Sequence, residues 1–378
     1  MKNTTIILLL FVLFSCSNNK KTNDIYELKE SNKKLSFNLD KNTKSFIQTL
    51  FIYEEKKSKQ FLTFQNQDQN EILFYDINSS DLEFKIKPQI DGANGVGFFL
   101  GYYIHNFDSI FLTISGTEKI ALINKESIVS DKIIYEKTND EIKLTKGYST
   151  TAIYHPAQII NDKLYIISGC NRWFEQNPVS ATIDLKTKEI HALPFSYPTF
   201  PNTSNKSKRA GIEEYMSRCY TGEKFVYSFY FDESIYITNQ EHSDIHKVNI
   251  KSKYIDKIKT LDDYGNLTFK DICENPNYGN LIFDKYRNIY YRVAYPETEI
   301  KNSDNSMEIM QYGRKKFSII IIDKDFKIIG ESLFPDYTYN SNLLFVLEDG
   351  LYISSSHCMN PTYNDDILSF QKFELVKK

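Results

Sequence analysis

Past residue 45 no stretch of the chain carries a long apolar pattern with the period of a helix. Short alternating runs recur instead, bounded by Asn, Asp, Ser, Lys and Gly, as strands and hairpins are. One unit returns: an apolar strand ending in Asp or Asn, a short polar turn, then another apolar strand. Residues 72–76 show it, ending in Asp76 and turning at Asn78-Ser79-Ser80 into Leu82-Glu83-Phe84. It returns at 120–124, at 181–184 with a turn at Lys186-Thr187-Lys188, at 245–249 and at 319–323. A weaker copy spans 367–371, and the marker residues stand 48, 60, 65, 74 and 48 apart. Each copy follows a pair of strands, the second of which covers 61–64, 110–114, 164–167, 235–238, 289–293 or 351–354. Four strands to a unit of about 50 residues predict an all-β fold, a β-propeller of six four-stranded antiparallel blades. The sixth unit lacks a good fourth strand, while residues 34–40 stand unused near the amino end. Lending that strand to the last blade closes the ring and leaves no sheet edge open to aggregation. A seven-bladed ring and a pair of β-sandwiches are the other arrangements that alternation allows.

The amino terminus is patterned differently. Met1-Lys2 precedes an unbroken apolar run over 6–14, and Ser15-Cys16 follows. A positive start, a short hydrophobic stretch and a small residue before the cleavage point predict a secretory signal over 1–15. The run is too short for a bilayer, which needs about 20 residues. Leu13-Phe14-Ser15-Cys16 resembles the lipobox of bacterial lipoproteins, with Phe14 bulkier than the usual occupant of its position. That resemblance implies an acylated Cys16 as first mature residue and a lipid bilayer as partner; an ordinary signal peptide with Cys16 incidental is the plainer alternative. Residues 16–30 read as the tether, since 17–23 hold no apolar side chain. Residues 31–378 read as one propeller domain.

Composition narrows the classes. Net charge is −3 with both signs mixed along the chain, so no basic stripe suggests nucleic acid. Aromatic residues reach 15%, with 27 Tyr and 27 Phe, which is strand-forming chemistry. Gly is scarce at 14, so Asn and Asp are expected to occupy many turns. This Lys-, Asn- and Ile-rich chain resembles lipoproteins of Bacteroidota-type bacteria. Over most of its mature length it resembles the six-bladed, TolB-like propeller lipoproteins. In lipoproteins of Bacteroidota-type bacteria an acidic patch after the Cys often marks export to the outer surface. Neutral and basic residues follow Cys16 here, so the resemblance favours the periplasmic face of the outer membrane over the cell surface.

Propellers build their ligand face from loops that join blades and loops between second and third strands. The longest are 88–97, 138–152, 169–179, 194–224, 259–278, 296–316 and 356–366. Residues 209–218 read as a short helix ending in Arg218. Arg172 and Trp173 follow the second strand of the third blade; Trp173 can stack on a sugar ring or a peptide side chain, or plug the ring between blades. Tyr278, Arg292 and His357 fall near the same rim and complete the candidate ligand set, although each alone has a plain structural reading. Besides Cys16 there remain Cys170, Cys219, Cys273 and Cys358, an even number suited to an oxidising compartment. All four map to one face, where neighbouring blades would pair Cys170 with Cys219 and Cys273 with Cys358. No Cys-x-x-Cys pair supports a zinc site.

The Gly-x-Ser-x-Gly elbow, the phosphate loop, His-Glu-x-x-His and a dense calcium loop are all absent. The expected function is therefore binding or scaffolding, with the rim presented to a glycan, a peptide or an envelope protein. The alternative is a lactonase- or lyase-like enzyme with a divalent metal in the central channel, for which Glu274, Asn275 and His357 are the candidate ligands. A purely structural role in an envelope complex is the third possibility.

Overall fold

The computed structural model describes residues 25–55, 59–145, 154–171, 173–199, 215–258 and 268–378. The expected signal 1–15, Cys16, the first part of the tether and Arg172 lie outside the described residues. Strands dominate, and the marker Asp or Asn shows why the hairpins close. Its side-chain oxygen accepts backbone N–H bonds from the turn that follows. Asp76 Oδ1 accepts from the N–H groups of Asn78 (2.7 Å) and Ser79 (3.1 Å), and Asp184 Oδ1 from those of Lys186 and Thr187, both at 2.9 Å. Asp323 Oδ1 accepts from Asp325 (2.9 Å) and Lys327 (2.8 Å). Among the described residues twelve non-glycine residues are left-handed, and only four of them, Asn70, Asn161, Asp162 and Asn288, are the Asn or Asp that the low glycine content led us to expect.

The first strand, β1 (Tyr26–Asn38), joins the last sheet. The first sheet holds β2 (Leu50–Glu55), β3 (Lys59–Asn66), β4 (Glu71–Asp76) and β5 (Leu82–Ile86) in antiparallel order. The second holds β6 (Phe99–Asn106), β7 (Ser109–Ile114), β8 (Lys119–Ile123) and β9 (Val129–Ile134). The third holds β10 (Gln158–Ile160), β11 (Lys163–Ile167), β12 (Ser180–Asp184) and β13 (Ile190–Ala192). The fourth holds β14 (Met216–Tyr220), β15 (Phe225–Phe229), β16 (Ser234–Thr238) and β17 (Ile245–Asn249). Then follow α1 (Phe269–Glu274), β18 (Asn277–Asp284), β19 (Ile289–Tyr295), α2 (Ser306–Gln311), β20 (Ser318–Asp323) and β21 (Ile328–Leu333). Last come β22 (Asn340–Leu347), β23 (Gly350–Ser354) and β24 (Ile367–Lys377).

The arrangement is that of an all-β propeller, but not of six separate blades. Four four-stranded sheets accompany one eight-stranded sheet with the order β18-β19-β20-β21-β1-β24-β23-β22. The cause is local. Ile25 N donates to Ile329 O at 2.9 Å, and Tyr26 pairs in parallel with Gly330. A Cβ on Gly330 would lie 2.1 Å from Tyr26 O, so only glycine lets the two strands meet. The amino-terminal strand does close against the last one, antiparallel from Tyr26↔Lys377 to Asn38↔Ile367, starting earlier than the expected 34–40.

Apolar side chains fill the gaps between neighbouring sheets. Phe61, Phe74, Tyr102 and Leu112 pack between the first and second sheets. Val293, Ile321, Leu344 and Phe373 pack the two halves of the eight-stranded sheet against each other, so that sheet folds over on itself. In the fourth sheet the expected strands slip one place: 235–238 lies in the third strand, β16, and 245–249 is the fourth, β17. Asn239 caps that hairpin, accepting from Ser243 N (2.9 Å) and Asp244 N (3.2 Å). No helix among the described residues is long and apolar enough to cross a membrane.

Candidate functional site

Strands alternate in direction, so the starts of the leading strands β2, β6, β10, β14, β18 and β22 share one end with the ends of the second strands. β14, β18, β22 and β2 lie next to one another along the middle of the molecule. α1 and α2 cover the same end. Three leading strands break register there, between Phe99 and Tyr102, between Tyr278 and Leu281, and between Asn340 and Leu344. Such a bulge re-aims the side chains it carries. In β18 it turns Asn280 across the middle: Oδ1 accepts from Tyr230 Oη at 2.9 Å, and Nδ2 donates to Asn342 O at 3.3 Å. In β22 it brings Asn342 to α2, where Nδ2 donates to Met310 O and Gln311 O, both at 3.1 Å. Tyr295 ends β19 beside them, with its hydroxyl 2.9 Å from Ser341 Oγ. Gly279 makes the room, because a Cβ there would stand 2.8 Å from the Tyr295 ring.

Arg314, itself buried, stands beside Tyr295 at this end, which we call the mouth. The chain leaves α2 through Gly313 and Arg314, both left-handed, with φ of +99° and +59°. A non-glycine residue holds that conformation only when its surroundings enforce it. Arg314 N donates to Ile309 O at 2.8 Å, Ser341 Oγ donates to Gly313 O at 2.8 Å, and His357 Nε2 donates to Arg314 O at 3.1 Å. A Cβ on Gly313 would lie 2.4 Å from Ser341 N, so the turn admits glycine alone. The guanidinium carbon of Arg314 is thereby held 4.2 Å from the centroid of the Tyr295 ring.

A deeper layer fixes the mouth tyrosines. Arg218 and Arg292 are fully buried, on β14 and β19. Arg218 N and Ser217 Oγ both donate to Tyr154 O, at 2.5 and 2.7 Å, while Arg218 Nη2 donates to Pro156 O at 2.7 Å. Arg292 donates to the carbonyls of Asp232 (2.6 Å), Ile250 (2.8 Å) and Glu233 (2.9 Å), and so clamps the turn that carries Tyr230. It rests 3.6 Å above the Tyr278 ring, and Tyr278 N donates to Tyr230 O at 2.7 Å. Burial lowers the Arg292 guanidinium to about 10, which leaves it charged at neutral pH. Burial also pushes the hydroxyls of Tyr154, Tyr230 and Tyr295 above the ordinary phenol value, and Arg314 draws the last two part of the way back. All three therefore stay protonated donors, and Tyr154 and Tyr230 keep partial contact with solvent. The group is a set of phenols and amides with one guanidinium.

A family model described as "Domain of unknown function (DUF4221)" matches residues 25–333. The chain belongs to this family. The crystal structure of a DUF4221 member from Bacteroides vulgatus is similar over 94% of this chain and 100% of its own, at 24% identity and a TM-score of 0.80. A protein from Bacteroides fragilis named "Putative exported protein" is similar over 93% of this chain and 96% of its own, at 13% identity and a TM-score of 0.52. No curated protein matches the chain. These likenesses speak to the fold.

In this DUF4221 chain the candidates read from the sequence fall one layer behind the mouth. Residues 209–214 of the expected helix lie outside the described residues; Arg218 lies in strand β14, where its alternating neighbours pair with β15. Arg218, Tyr278, Arg292 and His357 are buried, and each bonds backbone groups. Trp173 is 71% exposed on its loop, so it does not plug the ring. Glu274, Asn275 and His357 do not assemble a metal site. Glu274 accepts from Lys270 Nζ (2.7 Å) and Ile300 N (2.9 Å), Asn275 Nδ2 closes α1 on Asp271 O (2.9 Å), and His357 Nδ1 accepts from Met359 N (3.1 Å). Among the described residues no group of three His, Cys, Asp or Glu is placed to hold a metal.

Neither expected disulfide is formed, since Cys219, Cys273 and Cys358 are free thiols. Packing keeps them apart. Cys219 sits in the gap between the fourth sheet and β18–β21, Cys170 packs on the gap before it, and Cys273 Sγ donates to Ser306 O at 3.4 Å. An open cleft of about 490 Å³ flanks the fourth sheet, lined by Phe231, Asp232, Tyr236, Lys247 and Lys257 among others. Its Asp232 already accepts from Tyr236 Oη (2.7 Å) and Lys247 Nζ (3.0 Å). The mouth residues Tyr154, Tyr230, Asn280, Tyr295, Arg314 and Asn342 escape sequence reasoning. Their signals are Gly279-Asn280 inside an apolar strand, Asn340-Ser341-Asn342 before Leu343-Leu344-Phe345, and Gly313 ahead of Arg314.

Proposed function

We propose that this chain is an envelope-anchored binding module whose ligand, the end of a glycan, enters the mouth between α1, α2 and the leading strands β14, β18 and β22. The observation that carries it is the Tyr230–Asn280–Asn342 relay, 2.9 and 3.3 Å, turned across the middle by the bulge in β18. Phenols and amides both give and accept hydrogen bonds, which is what neighbouring sugar hydroxyls require. Exposed Trp173 adds an aromatic face at the same end. A single parallel pair joins the halves of the eight-stranded sheet, so we count it as two units and the ring as six. The lipobox-like Leu13-Phe14-Ser15-Cys16 supports a lipid anchor. Ile25 lies at the end of the sheets opposite the mouth, beside Ile329 and Lys378. An anchor at Cys16 then leaves the mouth facing away from the membrane, on the periplasmic face of the outer membrane.

Glycan and peptide arrays probed with the wild type and with Tyr230→Phe test the ligand. Glycan signals that fall at least about tenfold in the variant support the site, since a lost hydrogen bond of about 1.4 kcal/mol is a factor of ten. Binding that survives Tyr230→Phe and Asn280→Ala combined moves the ligand elsewhere. Palmitate labelling of the wild type but not of Cys16→Ser supports the anchor, and equal labelling rejects it.

A further inference from the structure

We infer that the ligand is an acidic sugar, its carboxylate beside Arg314 and one hydroxyl on Asn277 Oδ1; this rests on the binding site proposed above. Two independent observations point the same way. The first is the backbone of Gly313 and Arg314. Two successive left-handed residues, held by Ser341 and His357, fix a guanidinium against the Tyr295 ring at the edge of the mouth. A planar guanidinium with tyrosine hydroxyls around it matches the geometry of a carboxylate. Arg314 draws the hydroxyls of Tyr230 and Tyr295 part of the way back from the values burial gives them. Glu274, the acid of α1, is turned to Lys270 and the backbone of Ile300.

The second observation is Asn277. It is 1% exposed, yet its Oδ1 has no hydrogen-bond partner. Asn277 stands opposite Tyr295 in the β18–β19 register, so the two side chains project from the same face of the sheet. A buried acceptor without a donor is costly and rare. A ligand hydroxyl supplies the missing donor at that point, and a carboxylate alone does not. The amides of Asn280 and Asn342 lie close by, Asn342 Oδ1 accepting from Tyr295 Oη at 3.4 Å, and suit further hydroxyls. A peptide end brings a carboxylate but only a single neighbouring N–H, which uses less of this set.

Isothermal titration of the full chain in detergent at low salt, with D-glucuronate, D-glucose, acetate and N-acetyl-diglycine as probes, tests the inference. D-Glucuronate is expected to bind at least about tenfold tighter than D-glucose and than acetate. Arg314→Gln should bring D-glucuronate down to the D-glucose level. Asn277→Leu, which keeps the guanidinium, should weaken both sugars and leave their ratio unchanged, so the inference is tested even if Arg314→Gln does not fold. Equal binding of both sugars, acetate matching D-glucuronate, or N-acetyl-diglycine binding tighter than either sugar overturns it. Glycan-array binding that is lost in Tyr230→Phe while D-glucuronate does not bind overturns the acidic-sugar inference and leaves the mouth site standing. Array binding that ignores Tyr230→Phe removes the site itself.

Discussion

The bulge in β6 and the bulges in β18 and β22 are the same local event at the same end of leading strands, with different outcomes. In β6 the open backbone is sealed from the adjacent sheet. Gln65 Nε2 donates to Phe99 O at 2.7 Å and its Oε1 accepts from Gly101 N at 3.0 Å, while Asn70 Oδ1 accepts from Phe99 N at 3.1 Å. Every amide there is committed to the fold. In β18 and β22 the amide belongs to the bulged strand itself and crosses to another element, to Tyr230 and to the carboxyl end of α2. The difference lies in which strand supplies the amide: at β6 the adjacent sheet reaches in to satisfy the bulged backbone, whereas β18 and β22 send their own amides across to other elements.

That contrast can be broken in several ways. The largest expected effect comes from Arg292→Met, which removes the donor from three backbone carbonyls, one buried and two half-buried, and frees the turn that carries Tyr230. Urea unfolding should show a loss of roughly 3–5 kcal/mol, and ligand binding should fail with it. Gln65→Leu should cost roughly 2–4 kcal/mol by leaving two buried backbone groups unpaired, yet leave binding within about twofold. If binding collapsed as well, the two kinds of bulge would not be separate devices.

Acidification sharpens the comparison through His357, which holds the Arg314 turn, and His242, buried under Tyr227. Burial lowers both to about 4, against an ordinary value of 6.5. The folded values lie below the unfolded one, so the contribution is complete above pH 6.5 and is lost as pH falls from there toward 4. By pH 4.5 each histidine should have given up about 2–3 kcal/mol. His357→Gln, whose amide can still donate to Arg314 O, should remove about half of that slope in urea midpoints taken from pH 7.5 to 4.5; an unchanged slope would show that burial of His357 is not its source. The smallest effect on stability is expected from Asn280→Ala, about 1 kcal/mol, with the full loss of binding.

Much of the fold was legible because its punctuation is chemical. Asp76, Asp184 and Asp323 end apolar runs and cap the turns that follow, and nothing distant changes that. The slip in the fourth sheet has the same root. Both β16 and β17 are alternating runs closed by an Asn, and a period of two does not tell a third strand from a fourth. The merging of the last two units depends on Gly330 meeting Tyr26, residues at opposite ends of the chain, which no local pattern announces. The loops of the candidate site were legible and its residues were not. Arg218 and Arg292 look like rim residues by charge, yet their alternation faces the gaps between sheets, where backbone carbonyls receive them. The side chains that do meet at the mouth are set by register breaks, and only glycines such as Gly279 and Gly313 hint at those.

Side-chain amide NMR of selectively labelled Asn and Gln during a D-glucuronate titration tests the central claim most directly. The resonances of Asn280 and Asn342 should shift with saturation while that of Gln65 stays still. Shifts at Gln65 with Asn280 and Asn342 unmoved would contradict the account.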